Sequence, residues 1–267
     1  MFIASGCGSK IENRSGIDII GHGGSGFETY INQLPANTMA SFEKAIYEDN
    51  ADGIEMDIQL SKDDIIVVFH DKVLNHKTDR SGAVREHLFS ELNRCDFHGD
   101  FVLFSKGKHT ISSLEQVLAN FKDILQTKYF YFNIKAGVDG DQEKYNRIIS
   151  EQIVDIIHRF DMYDNAVVET SDIKILEQIS RLDSAIVIMQ DIGPFEKYYQ
   201  SIIDNDLDGL VVAKNNITAE QVMQAKADGK KVVIYGSKTR AGIKEILKMD
   251  PDVFQTDKID LTKRLFN

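Results

Sequence analysis

Residues 17–26 read Ile17-Asp18-Ile19-Ile20-Gly21-His22-Gly23-Gly24-Ser25-Gly26. An apolar run passes into a glycine-rich turn, and Gly21, Gly23 and Gly26 have the G-x-G-x-x-G spacing of a dinucleotide-binding loop. Such a loop opens straight into a helix whose N-terminus takes the pyrophosphate. Here the polar and mixed residues 27–37 intervene before a helical pattern begins at Thr38. The glycines therefore suit a close-approach turn around a presented imidazole, His22, better than a phosphate cradle. A doubly wound dinucleotide fold loses its main support, and the rest of the chain decides the alternative.

Ile- and Val-rich runs recur at 17–21, 53–60, 65–70, 129–135, 166–170, 185–190, 209–213, 231–235 and 252–255. Most are continuous rather than alternating, as expected of parallel strands covered on both faces. Amphipathic helical patterns lie between them, at 38–48, 113–122, 143–159, 173–181, 195–203, 219–227, 240–248 and 258–266. Ser112 with Glu115, and Thr218 with Gln221, have capping-box spacing, and Asp228-Gly229 is a helix stop. With 65–70 taken as an extension of the second strand, eight strand–helix units result. That count fits an α/β fold of the closed (β/α)8 type, a TIM barrel, better than an open sheet. The stretch from Asp71 to Thr110 is too long for an ordinary βα loop and reads as a rim insertion, helical around 84–95. Residues 16–267 make one domain after a flexible N-terminus at 1–15.

The chain has 267 residues, 42% of them hydrophobic, with a formal charge of −11. This acidity argues against a general nucleic-acid binder, which needs a basic face, but leaves room for a small anionic substrate met by a local lysine or cation. No run approaches the ~20 apolar residues of a membrane-spanning helix. Cys7 and Cys95 form neither a metal-ligand pair nor a disulfide framework. Met1–Gly6 before Cys7 resembles the tail of a bacterial lipoprotein signal, yet lacks the charged region and most of the apolar region of an export signal. Two expectations stay open: a signal remnant with a lipid anchor on Cys7, hence the cell envelope or periplasm, or an ordinary N-terminus of a cytoplasmic protein.

In a TIM barrel the chemistry sits at the C-terminal ends of the strands. His22 ends the first run and His70-Asp71 ends the third. Glu55 and Asp57 lie two apart on the second run, Asn133 and Lys135 two apart on the fourth, and Glu169 ends the fifth. Spacing by two puts both side chains on one face of a strand. Two carboxylates held together repel, and a hard divalent cation such as Ca2+ or Mg2+ relieves them; the plainer alternative is a solvated face paired with lysines. Two rim histidines can divide the roles of general acid and base, or simply be hydrogen-bonded rim residues. Lys135 needs an anion, which is either Glu55 or Asp57, or a substrate phosphate.

Gly21-His22-Gly23-Gly24, Pro35-Ala36-Asn37-Thr38, Phe42, Ala45, Ala51-Asp52-Gly53-Ile54-Glu55-Met56-Asp57 and Val67-Val68-Phe69-His70-Asp71 together resemble the glycerophosphodiester phosphodiesterase family. Its usual forms are HRG, PENT, GAD-x-IE-x-D and V-x-HD. Weaker similarity runs on through Ile111-Ser112-Ser113-Leu114-Glu115, Phe132-Asn133-Ile134-Lys135, Val232-Val233-Ile234-Tyr235 and Gln255-Thr256-Asp257. The resemblance implies metal-dependent hydrolysis of a glycerophosphodiester to glycerol 3-phosphate and an alcohol. It implies one divalent cation, Ca2+ or Mg2+, on Glu55, Asp57 and Asn133, His22 and His70 as the acid/base pair, and Lys135, Gly23 and Tyr235 as substrate contacts. Three positions depart from the family: Gly23 replaces the Arg of HRG, Ala36 the Glu of PENT, and Asn133 the Glu of E-x-K. These losses raise one alternative, a weakened barrel that only binds a phosphate-bearing ligand; a related phospholipase D-like lyase forming a cyclic phosphate is another.

Overall fold

The computed structural model describes residues 16–27, 32–99, 107–135 and 140–266; the N-terminal stretch with Cys7 lies outside them. Eight parallel strands close on themselves: β1 (Asp18–Gly21), β2 (Gly53–Leu60), β4 (Tyr129–Ile134), β5 (Ala166–Thr170), β6 (Val187–Ile192), β7 (Gly209–Ala213), β8 (Lys231–Tyr235) and β9 (Val253–Thr256). Closure is made at β1, where Ile20 is registered with Gly53 of β2 on one side and Gln255 of β9 on the other. The expected TIM barrel is therefore the fold.

One strand departs from the sequence reading. Ile66–Val68 forms β3, which turns back antiparallel on the outer part of β2, pairing Ile58 with Val68 and Leu60 with Ile66. It is not an extension of β2. The hairpin turns where Asp64 adopts a left-handed φ of 61° and Ser61 Oγ accepts from Ile65 N at 3.0 Å. Because β3 stays outside the closed ring, the count of eight survives the correction.

Helices cover the outside: α1 (Met39–Glu43, continuing as a π-helical turn over Lys44–Glu48), α2 (Phe89–Leu92), α3 (Leu114–Asn120), α4 (Gln142–Arg159), α5 (Ile173–Leu182), α6 (Phe195–Asp204), α7 (Ala219–Ala227), α8 (Arg240–Met249) and α9 (Ile259–Phe266). Thr38, Ser113, Asp141, Asp172, Thr218 and Thr239 each accept a backbone N–H of the first turn that has no partner inside the helix. The cap of α3 is Ser113 with Gln116, one residue beyond the expected Ser112–Glu115 pair. Among the described residues of the rim insertion only Val84–Glu86 and α2 are helical. Val67, Phe69, Leu74, Val84, Leu92, Cys95, Phe97 and Ile111 give that insertion its own small apolar core.

Alternation along the strands sorts the side chains. Ile54, Met56, Ile58, Phe130, Phe132 and Ile134 face the helices. Ile20, Tyr131, Val167, Met189, Val233 and Val253 fill the barrel. Two residues further along each strand, on the same inner face, stand His22, Asn133, Glu169, Asp191, Tyr235 and Gln255. The apolar plug thus ends at a polar mouth on the C-terminal side. At the opposite end Asp52, Asp208 and Asp252, each just before a strand, accept from Ile19 N, Ile188 N and Val232 N of the neighbouring strand, which fixes strand to strand.

Candidate active site

The mouth is organised around Asp57, which is buried on β2. Its Oδ2 accepts from Asn37 Nδ2 at 2.6 Å, its backbone N–H donates to Asn37 Oδ1 at 2.9 Å, and Lys135 Nζ lies 2.7 Å from its Oδ1. Burial pushes the Asp57 carboxyl up, but Lys135 and the nearby histidines outweigh it, so the group is held below its ordinary range. Burial likewise opposes the Lys135 ammonium, yet Asp57 and Glu55 raise its pKa. Asp57 and Lys135 therefore form a charged pair, which meets the need for an anion that the sequence showed for Lys135.

Glu55, two residues earlier, is fully buried. Its Oε2 accepts from Gly23 N at 2.8 Å, and its Oε1 has no hydrogen-bond partner among the described residues. Burial, and then the charge of Asp57, drives its pKa well above the ordinary value. Gly23 can aim its amide this way because its φ is +58°, and a Cβ there would stand 2.9 Å from that of Ala36. Gly23 and Ala36, two of the three departures from the family pattern, are thus neighbours, and together they cost one cation and one anion rather than a net charge.

The two histidines flank one ring. Phe27 lies 4.8 Å from His22 and 5.6 Å edge-on from His70, centroid to centroid. His22 Nδ1 is 3.0 Å from Asp257 Oδ1, which also accepts from Phe27 N at 3.1 Å. Burial alone would lower the His22 pKa, but the bond to Asp257 and the charges of Glu55, Asp257 and Asp57 lift it to about 9. His70 Nδ1 is 2.6 Å from Asp71 Oδ1, and its side chain is 45% exposed. Gln59, buried on β2, donates to the Phe69 and Asp71 carbonyls at 2.7 and 2.9 Å and so fixes the loop that carries His70. With each Nδ1 engaged by a carboxylate, Nε2 is the nitrogen each histidine offers a substrate. Tyr235 closes the far side of His22 at 5.8 Å.

Asn133 stands between Asp57 and Glu169 in the strand register. Glu169 is fully buried; Gln255 Nε2 donates to its Oε2 at 2.9 Å and its Oε1 has no partner among the described residues. Burial, then Asp191, pushes its pKa up to about 8. Asp191 itself is raised to about 6, chiefly by burial. Among the described residues no group of three or more His, Cys, Asp or Glu side chains is arranged to hold a metal ion. The donor chemistry nevertheless fits a hard cation: the orphaned oxygens of Glu55 and Glu169 are carboxylate acceptors in a site short of positive charge.

The structure therefore brings His22, His70, Glu55, Asp57, Asn133, Lys135, Gly23 and Tyr235 to one mouth. Sequence reasoning missed Asp257, Phe27, Asn37, Gln59, Gln255 and Asp191. Asp191 went unnoticed because its strand was expected to end at Gln190, whereas β6 runs to Ile192. Asp257 and Asn37 lay within motifs already singled out, but nothing local tells which side chain they serve.

The sequence profile of the glycerophosphoryl diester phosphodiesterase family matches residues 27–261. A glycerophosphodiester phosphodiesterase of Bacillus altitudinis is 29% identical over 227 residues, spanning 84% of this chain and 89% of that protein. Another, from Caldanaerobacter subterraneus subsp. tengcongensis, is 34% identical over 123 residues, 44% of this chain and 48% of its own length. An Oleispira antarctica phosphodiesterase, solved in complex with the product sn-glycerol-3-phosphate, shares the fold with a TM-score of 0.79 at 20% identity, over 93% of this chain and 96% of that one. A glycerophosphodiester phosphodiesterase from Parabacteroides distasonis does so with a TM-score of 0.76 at 19% identity, over 95% and 98%. The chain belongs to the glycerophosphoryl diester phosphodiesterase family.

Proposed function

We propose that the protein hydrolyses glycerophosphodiesters to glycerol 3-phosphate and an alcohol, with His22 and His70 as the acid/base pair and one divalent cation, Ca2+ or Mg2+, at the buried carboxylates. The observation that carries this reading is the pair of histidines at the barrel mouth, each oriented through Nδ1 by its own carboxylate beside Glu55, Asp57 and Lys135. Family membership and the product complex of the Oleispira antarctica phosphodiesterase support the substrate class.

His22, with its pKa at about 9, is an imidazolium at neutral pH and serves as the acid. His70, more exposed and held by Asp71, serves as the base. In the first step His70 takes the proton of the glycerol hydroxyl next to the phosphate, and that oxygen attacks phosphorus. The P–O bond to the alcohol breaks, and the leaving oxygen receives the proton of His22. A cyclic phosphate remains, with His22 neutral and His70 protonated. Water then adds to phosphorus and gives a proton to His22, while the opening ring oxygen takes one from His70, which restores both histidines. Lys135 and the His22 imidazolium balance the phosphate charge, and Gly23 and Tyr235 border the bound diester. Glu55, Asp57 and Asn133 would hold the cation, which when bound stabilises charge on the phosphoryl oxygens.

The test is release of glycerol 3-phosphate from glycerophosphocholine, glycerophosphoethanolamine and glycerophosphoglycerol, with Ca2+, with Mg2+ and with chelator. Turnover of at least one diester with a cation, and its loss with chelator, is the expected result. Folded protein that turns over none of them under any condition would leave the ligand-binding barrel as the correct reading.

A further inference from the structure

Two side chains in the mouth share an unusual condition. Glu55 and Glu169 are both fully buried, and each keeps one carboxylate oxygen, Oε1, without a partner among the described residues. A buried acceptor left unsatisfied costs about 1–3 kcal/mol, so its survival needs a reason, and an unseen ligand is one. The two are built alike. In Glu55 the second oxygen is pinned by the Gly23 amide at 2.8 Å, and in Glu169 by Gln255 from across the barrel at 2.9 Å. Each carboxylate is thereby fixed through one oxygen while the other is buried without a partner among the described residues.

Asp57 is in the opposite condition. Asn37 takes one of its oxygens and Lys135 the other. The ion pairs divide the same way: Asp57 has Lys135 as its partner, whereas neither Glu55 nor Glu169 has a cationic partner within ion-pair distance among the described residues. β4 lies between the two acids, and Asn133, registered directly against Glu169, stands on its inner face.

We infer that Glu169 is a further cation ligand: a Ca2+ or Mg2+ ion held at Glu55 would also take Glu169 Oε1, which supplies the carboxylate that Asn133 lacks. This rests on the reading that a divalent cation serves the site, and it adds Glu169 to the residues that would hold the ion. Two carboxylates and an amide are hard oxygen donors of the kind both ions take. The set also explains why Asn133 is tolerated where the family pattern has a carboxylate: the acid stands one strand over, on β5.

Calorimetric titration of chelator-treated protein with Ca2+ and with Mg2+ tests this without reference to turnover. Wild type is expected to bind one cation. Loss of partners beyond the ligand shell alone weakens metal binding roughly 10–100-fold, so E169Q, which keeps shape and removes the charge, should weaken it at least about tenfold. N133E placed in E169Q returns a carboxylate one strand away and should restore affinity to within about threefold of wild type. Unchanged affinity in E169Q, or a loss that N133E does not restore, overturns the assignment, because a purely structural Glu169 would not be rescued from β4. Should E169Q not fold, E169D sets the carboxylate back by one methylene and must also bind more weakly; wild-type affinity in E169D overturns the assignment equally. If wild type itself binds neither ion, the cation in the proposed function falls too, and the two failures are distinguished.

Discussion

Replacing Asp257 by Asn tests whether His22 is the acid. Asp257 Oδ1 touches both His22 Nδ1 and Phe27 N, and Oδ2 lies 3.7 Å from Lys238. An amide of the same shape keeps the contacts possible but removes the charge. His22 stands at about 9 against an ordinary value of 6.5. One unit is 1.36 kcal/mol, so the surroundings favour the imidazolium by about 3 kcal/mol. The bond to Asp257 is the largest of the contributions that raise the value, and burial pulls the other way. The His22 pKa should therefore drop by at least about one unit in D257N. Because the folded value lies above the unfolded one, this histidine adds stability that is full below pH 6.5 and is lost as pH climbs through about 9; in D257N the loss ends at a lower pH. Two assays read it. The His22 ring protons, followed by NMR in chelator-treated protein, should titrate near 9 in wild type and lower in D257N. The alkaline limb of the pH profile of kcat/KM should move down by a similar amount. A wild-type His22 titrating near 6.5, or an alkaline limb unmoved by D257N, would refute the reasoning.

Other substitutions probe the supports of the site. Gln59→Leu strips the Phe69 and Asp71 carbonyls of a buried donor, so the His70 loop loosens; kcat should fall about tenfold or more with little change in KM, and the protein should lose about 1–3 kcal/mol in urea unfolding. Lys135→Met leaves Asp57 as a buried charge held by Asn37 alone and should destabilise the fold by about 3–5 kcal/mol, read as a lower denaturation midpoint, besides raising KM. Gly26→Ala puts a Cβ within 2.4 Å of the Asp257 carbonyl at a φ of +92°; thermal unfolding should show a marked loss of stability, and activity should fall because Asp257 is displaced from His22.

Much of this site is legible in the sequence because strands repeat every two residues. That rule alone places Glu55 with Asp57 and puts Asn133 on the inner face, and run ends locate His22 and His70. What the rule does not reach is whatever barrel closure brings together. His22 and Asp257 are 235 positions apart and meet only because β1 pairs with β9. Glu169 and Gln255 likewise meet across the barrel. Phe27 follows the glycine turn with no periodic signal, and its place between the histidines follows from the path of that turn. The antiparallel β3 escaped because an Ile/Val run looks the same in either direction; only the short Ser61–Ile65 connection, with its left-handed Asp64, marks the reversal. The two losses at Gly23 and Ala36 look independent along the chain, and in space they are one.

Phosphorus NMR of glycerophosphocholine turning over on the wild type, His22→Ala and His70→Ala proteins tests the central claim most directly. Hydrolysis by the two histidines predicts that wild type ends at glycerol 3-phosphate, with the cyclic phosphate at most transient, and that either alanine variant loses about a thousandfold or more in rate, at the level expected when an acid or base is removed. A cyclic phosphate that accumulates as the end product, or turnover that persists in His70→Ala at the wild-type rate, would contradict it.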